Sequence, residues 1–281
     1  MRTHQQILSE ATLRYQKKEF EKAFQLYNQV LSEDPDNAYI IHCVGTCLID
    51  LGYHGAAISV LERAISLNDQ FEDTFHNLGV CYRKEEHVEK AIKCYERALE
   101  LKSDSPTITA NLAGCYVNYG MPDKCIEYAD KALTLDPNNI MAKQHKAFAL
   151  LEKGDYENGW KFYEARLDAP KFHKRPYPGV KWDGKEVGSL VIHGEQGIGD
   201  EILFMSCFQN VVPLARNIYI ECAPRLKRLF ERSFSVPCYG SAEELLKYQA
   251  PECWIPMGSL PGLFRNKKND FPKLDYLKHR S

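Results

Sequence analysis

The sequence predicts an all-α solenoid of paired helices followed by a small α/β domain, and three observations carry that expectation. Small residues return at one fixed period through the N-terminal part of the chain, a proline- and glycine-bearing stretch then breaks the pattern, and beyond it short apolar runs alternate with helical segments. The period, 34 positions, is what a helix–turn–helix unit produces when copies stack, because no copy can bury its apolar face alone. Such stacking leaves a continuous concave surface, which is the usual binding face.

The period is carried by Cys47, Cys81 and Cys115, then by Ala23, Ala57, Ala91 and Cys125, by Ala64, Ala98 and Ala132, by Gly45, Gly79 and Ala113, and by Gly52, Gly120 and Gly154. Small residues at fixed positions let helices approach closely, and the aromatics between them fill the remaining space. The segments VGTCLIDLGYHGAAISVLERAISLN, LGVCYRKEEHVEKAIKCYERALELK and LAGCYVNYGMPDKCIEYADKALTLD align without a gap. Their pattern resembles the tetratricopeptide repeat (TPR), which puts Leu-Gly and an aromatic on its first helix, a glycine turn, and alanine with an aromatic on the second. Leu78, Gly79, Tyr82, Ala91, Tyr95 and Ala98 show it most fully. The period gives about five units over residues 4–173, the fifth (Gly154, Tyr156, Trp160, Tyr163) divergent, and a solenoid domain of residues 1–170. Glu86 stands where the turn glycine is expected, which puts that turn's geometry in question.

The resemblance implies that the first helix of each unit lines a groove. That places Tyr39, His42 and Thr46 of the second unit, Asp73, His76, Asn77 and Arg83 of the third, and Asn111 of the fourth on the binding face. Asn77 and Asn111 again lie one full repeat apart, and an amide both donates and accepts, so stacked asparagines grip the backbone of an extended peptide without reading its side chains. The pair resembles two rungs of the asparagine ladder found in the TPR region of certain sugar-transferring enzymes. The same residues also suit an ordinary solvated helix face.

After Leu167 the stretch APKFHKRPYPGVKWDGKEVG carries three prolines and three glycines, which no helical unit tolerates, so residues 171–188 read as a linker and 189–281 as a second domain. Its expected strands are SLVIH (189–193), NIYIEC (217–222), SVPCY (235–239) and ECWIP (252–256), with EILFMSCFQNVVPLA and APRLKRLFERSF as helices between them. Strands alternating with helices indicate a parallel, Rossmann-like sheet. The turn Gly194 to Asp200 joins a strand to a helix. Asp200 there is either the helix cap or, at the edge of the sheet where ligands bind, a general base.

The order GDYENGWKFYEARL, W-D-G, EQGIGDEILF, IYIECAPRLKRLF, IPMGSLPGLF and FPKLDYLK resembles bacterial TPR proteins that carry a heptosyltransferase-like glycosyltransferase domain of the GT-B type. The resemblance implies Asp200 as the residue that activates an acceptor hydroxyl, with Glu195, Gln196, Gly197 and Gly199 forming the acceptor-side wall. A GT-B enzyme has two such domains, and only the first is matched here. The expectation is therefore an interaction protein that binds a protein or peptide in the solenoid groove and carries an incomplete glycosyltransferase-like domain, inactive alone. The alternative is a glycosyltransferase whose donor-binding half is another polypeptide or is missing, a nucleotide sugar then being its donor.

With 36 Lys and Arg against 38 Asp and Glu the net charge is −2, so no global field favours nucleic acid or an anionic membrane. No run of about 18 apolar residues is present, and the chain is expected to be cytoplasmic. Cys43 and Cys47 lie four apart, yet no second pair follows at zinc-finger spacing, so the ten cysteines read as small core residues and no metal or cofactor is expected.

Overall fold

The computed structural model describes residues 3–170, 172–195, 197–272 and 276–278. The chain forms two compact units, Met1–Ala149 and Leu150–Ser281, so the division falls well before the position expected from the proline-bearing stretch.

The first unit is built from helix pairs: α1 (His4–Gln16) with α2 (Phe20–Leu31), α3 (Ala38–Asp50) with α4 (His54–Leu67), α5 (Glu72–Lys84) with α6 (Val88–Leu101), and α7 (Pro106–Asn118) with α8 (Pro122–Leu135), followed by α9 (Ile140–Glu152). Local chemistry starts several of these helices. Thr3 forms a capping box with Gln6, Asn37 accepts from the Ile40 amide, and Ser105 accepts from the Ile108 amide with Pro106 in the first helical position. The turns inside the pairs repeat as closely as the helices do. Lys18, Gly52, Glu86, Gly120 and Gly154 follow one another at the repeat spacing and all have positive φ, from 60° to 85°. Glu86 therefore keeps the turn despite its side chain, at a cost of roughly 1–2 kcal/mol that glycine avoids.

Each pair closes on a small residue. A Cβ on Gly45 would stand 2.5 Å from the Leu61 side chain, and one on Gly79 would stand 2.7 Å from the Tyr95 ring. Both neighbours are fully buried. The third copy changes both partners together, since Ala113 and Ala129 occupy the two equivalent positions and both are fully buried. Cys47, Cys81 and Cys115 are fully buried thiols at the phased core sites, and burial pushes Cys81 and Cys115 up to about 11. Successive pairs are tied by a repeated polar contact: the Tyr82 hydroxyl donates to Glu62 and the Tyr116 hydroxyl to Glu96.

The second unit begins within α9 and continues through α10 (Tyr156–Tyr163) and a 3-10 turn, Glu164–Asp168. A sheet follows with strands β1 (Val180–Lys181), β2 (Val187–His193), β3 (Ala215–Glu221), β4 (Cys238–Tyr239) and β5 (Cys253–Pro256), in the order β1-β5-β2-β3-β4. Every pairing is parallel. Leu190, Val191, Ile192 and Ile220 are fully buried, as strands covered on both faces require. β1 lies inside the stretch expected as a linker. Its two residues pair with Cys253 and Trp254, partners so far along the chain that local sequence cannot announce them.

The segment expected as one long helix after β2 is broken into α11 (Ile198–Phe204), a 3-10 turn at Met205–Cys207, and α12 (Phe208–Val211). Arg265, 2% exposed, bonds the Ser206 carbonyl at 2.8 Å and the Asn210 side chain at 3.0 Å, so the backbone freed by the break has a charged donor. A further 3-10 turn, Val212–Leu214, carries Pro213 in its first positions and leads into β3. The remaining helices are α13 (Lys227–Phe234), α14 (Ala242–Leu246) and α15 (Leu260–Phe264). Trp160 of α10 donates its indole N–H to the Arg265 carbonyl at 2.9 Å, which ties α10 to the sheet-bearing unit.

Gly79→Ala is expected to destabilise the protein by about 1–3 kcal/mol through overpacking against Tyr95, outweighing the gain in helix propensity of about 1 kcal/mol. In a Tyr95→Ala background the same change should cost much less or stabilise. Urea unfolding of the four species gives the coupling, and additive effects would refute the size-matching account.

Candidate functional site

The inner helices α3, α5 and α7 carry a connected set of polar side chains. His42 Nδ1 bonds Thr74 Oγ1 at 2.9 Å, and Thr46 donates to the His42 carbonyl at 2.9 Å. The Asn77 amide donates to Thr46 Oγ1 at 3.1 Å, and the Asn111 amide pairs with His76 Nε2 at 3.0 Å. Both asparagines thus bond across to the preceding inner helix. Asn111 is only 6% exposed, while Asn77, His42 and His76 are half-buried and Tyr39 and Asp73 are exposed. His42 and His76 are themselves separated by one repeat, a spacing that marks them as equivalent links from one unit to the next. Burial lowers the pKa of both, with Asp73 opposing weakly, so both rings are neutral near pH 7.

Arg83 is the cation among the side chains expected on this face, and Asp73 the anion. Arg83 is half-buried on α5, and its field reaches Tyr95 on α6, Cys115 on α7 and His145 on α9. Its Nε has no hydrogen-bond partner, and no carboxylate pairs with it among the described residues. His145 rests on Gly114, and its carbonyl accepts from Cys125 Sγ at 3.4 Å. Burial, helped by Arg83, lowers His145 to about 4. Sequence reasoning missed Thr74, whose equivalents in the neighbouring copies are Ile40 and Ile108, and missed His145, which stands one repeat after Asn111, because the spacing was followed by residue type.

In the second unit the strands run in one direction from β2 through β3 to β4, and β5 then returns to the other side of β2. The crevice of such a sheet opens where the order reverses, at the C-terminal ends of β2 and β5. The turn expected as a site lies there, but its first carboxylate is already engaged. Glu195 accepts from Arg166 Nε at 3.0 Å and from a second Arg166 nitrogen at 2.6 Å, and also from the Gly258 amide at 2.9 Å. Both side chains are almost fully buried, and Arg166 also bonds Ser259 Oγ at 3.0 Å and Glu164 at 2.7 Å.

Gln196 lies outside the described residues. Gly197 is the N-cap of α11, which places Asp200 at the third helical position rather than at the cap, and no side chain caps this helix. Gly199 is exposed beside open space, and Asp200 is half-buried with no bond to a described residue.

Beside this turn lies a second network that the sequence did not disclose. Glu221, buried at the end of β3, accepts from Arg175 Nε at 2.9 Å and from the Tyr177 hydroxyl at 2.6 Å. Glu201 accepts from the Ala223 amide at 2.9 Å, and burial raises its pKa. The His193 ring sits between Tyr177 and Trp254, is lowered to about 4 by burial, and leaves Nε2 without a partner among the described residues. Arg175 and Tyr177 lie in the proline-bearing stretch, where nothing local signals a buried role.

Models of the tetratricopeptide repeat match residues 44–71, 72–105 and 109–139, so the helix pairs of α3–α8 are tetratricopeptide repeats. Protein FlbA of Caulobacter vibrioides is 37% identical over 99 residues, covering 32% of this chain and 16% of that protein. The match therefore spans about a sixth of that relative's length. Among solved structures, MamA superposes with a TM-score of 0.52 at 25% identity, covering 56% of this chain and 92% of that one. YrrB, a TPR protein with an unusual peptide-binding site, gives 0.51 at 22% identity over 58% and 84%. PilF of Pseudomonas aeruginosa gives 0.52 at 17% identity over 59% and 75%. The last two likenesses are likenesses of fold.

His42, His76 and His145 have folded-state pKa values below that of an unfolded histidine, near 6.5. Above that value they are neutral in both states and cost nothing. As pH falls below it the unfolded chain binds protons first, so stability is lost progressively toward about pH 4, where His145 titrates in the fold. Melting temperatures at pH 7.5 and 5.0 should fall less for His145→Asn than for the wild-type chain. An equal fall would mean that His145 is not held neutral.

Proposed function

We propose that the inner-helix face of the repeats binds an acidic segment of another protein. The observation that carries this reading is Arg83, a half-buried cation on that face with no carboxylate of its own among the described residues. A guanidinium in such a place is already partly desolvated, so an incoming carboxylate gains a charge-assisted hydrogen bond at little further cost. The neutral His42–Thr74 and His76–Asn111 pairs supply an uncharged polar floor, and the acid of the same face, Asp73, is exposed to solvent, which screens its charge. In this reading Asn77 and Asn111 set the spacing of the inner helices. Their unused acceptor and donor capacity faces a peptide backbone only secondarily.

The second reading is sugar transfer from a nucleotide donor, with Asp200 as base on a glycosyltransferase-like, Rossmann-type domain. It is supported by the parallel sheet and by a carboxylate that bonds no described residue near the crevice. Glu195, expected in the acceptor wall, is instead spent on Arg166, and the relatives described above lend the reading no support. The interaction reading is kept.

Peptides selected from a random displayed library against the intact chain should be enriched in Asp and Glu. Titration calorimetry of a selected peptide should show Arg83→Ala weakening binding by about tenfold to a hundredfold, the range for a hydrogen bond to a charged group. Neutral selected peptides, or affinity indifferent to Arg83→Ala with the fold intact, would overturn the assignment.

A further inference from the structure

The repeat that breaks its own pattern opens a pocket. On the side of the outer helices, α6, α7 and α8 line an open pocket of about 690 Å³ bordered by Glu96, Leu99, Thr109, Tyr128, Lys131 and Leu135 among others, none of them part of the groove set. The repeat register explains why it exists. Position 109 is equivalent to Ile41 and Phe75, position 131 to Arg63 and Arg97, and position 103 to Pro35 and Asp69.

In the two earlier copies the slot is closed. Ile41 and Phe75 are larger fillers than threonine, and Arg63 bonds the Pro35 carbonyl at 2.7 Å and Asp36 at 3.0 Å. Phe75 lies beneath the Arg97 guanidinium, 5.9 Å from the ring centroid, and Arg97 reaches Asp69 at 3.8 Å. In the third copy the filler is the smaller Thr109, buried with its hydroxyl donating to the Ser105 carbonyl at 2.8 Å, and Ser103 stands where the acid was. Lys131 accordingly turns onto the Tyr128 ring, 4.5 Å from its centroid, and onto the exposed Glu127.

We propose that this pocket is a docking site for an aromatic side chain of a partner protein, with a carboxylate beside it. The molecule contains its own template for the occupant, since a phenyl ring under a cation is how the preceding repeat fills the same slot. The same template fixes the second feature. Of the acids on the rim, Glu96 is bonded by Tyr116 and Glu100 by Arg97. Lys131 has only a surface partner one turn away on its own helix, a weak pairing, and a partner carboxylate takes the place that Asp69 holds for Arg97. Leu99 and Leu135 provide the apolar walls.

The test is a titration of the isotopically labelled full chain with acetyl-Asp-Phe-amide and, as control, acetyl-Asp-Ala-amide, read by amide chemical shifts. The first should give saturable shifts at Thr109, Leu112 and Leu135, and the second should not. Thr109→Phe, which restores the slot's own filler, should abolish the shifts and raise the melting temperature by about 2–4 °C. Lys131→Glu, at the surface and tolerated by the fold, should weaken the phenylalanine probe at least tenfold, whereas Arg83→Ala should leave it unchanged. Absence of saturable shifts, equal response to both probes, or shifts that persist in Thr109→Phe or Lys131→Glu would overturn the proposal. A loss in Arg83→Ala would overturn it too, by assigning the binding to the groove.

Discussion

The close approach of the two helices within each pair is the constraint on which the first unit rests. Gly45 against Leu61 and Gly79 against Tyr95 set the distance, and Ala113 against Ala129 keeps it with both sizes changed. Once the pairs are fixed, the left-handed turns from Lys18 to Gly154 fall at one geometry. The tyrosine–glutamate bonds then join pair to pair at one offset. Stability in such an array is a sum of local terms and nearest-neighbour terms, so a substitution at one pair perturbs its neighbours and little else.

The two faces of the array solve polar satisfaction differently. On the inner face, histidine, threonine and asparagine bond one another across helices, so their desolvation is compensated before any partner arrives. Arg83 is the exception, and exceptions of this kind are where recognition energy is available. On the outer face, Arg97 and Asp69 seal one slot and Ser103 leaves the next unsealed. Both proposed binding positions are therefore departures from the repeat, visible only because the rest of it is so regular.

Much of the first unit was legible in the sequence because its determinants are local and periodic. The phased alanines and cysteines, with Gly45 and Gly79, occupy the core positions expected of them, and Glu86 shows that turn geometry follows the array rather than the residue. The parallel sheet was legible as alternating runs, with β2 and β5 close to their expected bounds. What was not legible is whatever joins distant segments. Strand β1 exists only through β5, Glu195 is defined by Arg166 from the far side of the proline-bearing stretch, and Glu221 by Arg175 and Tyr177 from within that stretch. A carboxylate in a glycine turn looks available until its cation is placed.

The Arg166–Glu195 pair also governs how the protein can be taken apart. A recombinant fragment starting in the proline-rich stretch keeps all five strands but discards Trp160, Tyr163 and Arg166. Glu195 would then be left with its charge enclosed and only the Gly258 amide to meet it. An abandoned charge of this kind costs about 3–5 kcal/mol, a large share of what a domain of this size has. The segment whose composition most invites dissection is thus the wrong place to cut, and an expression boundary upstream of α10 preserves the cation that the sheet edge was built around.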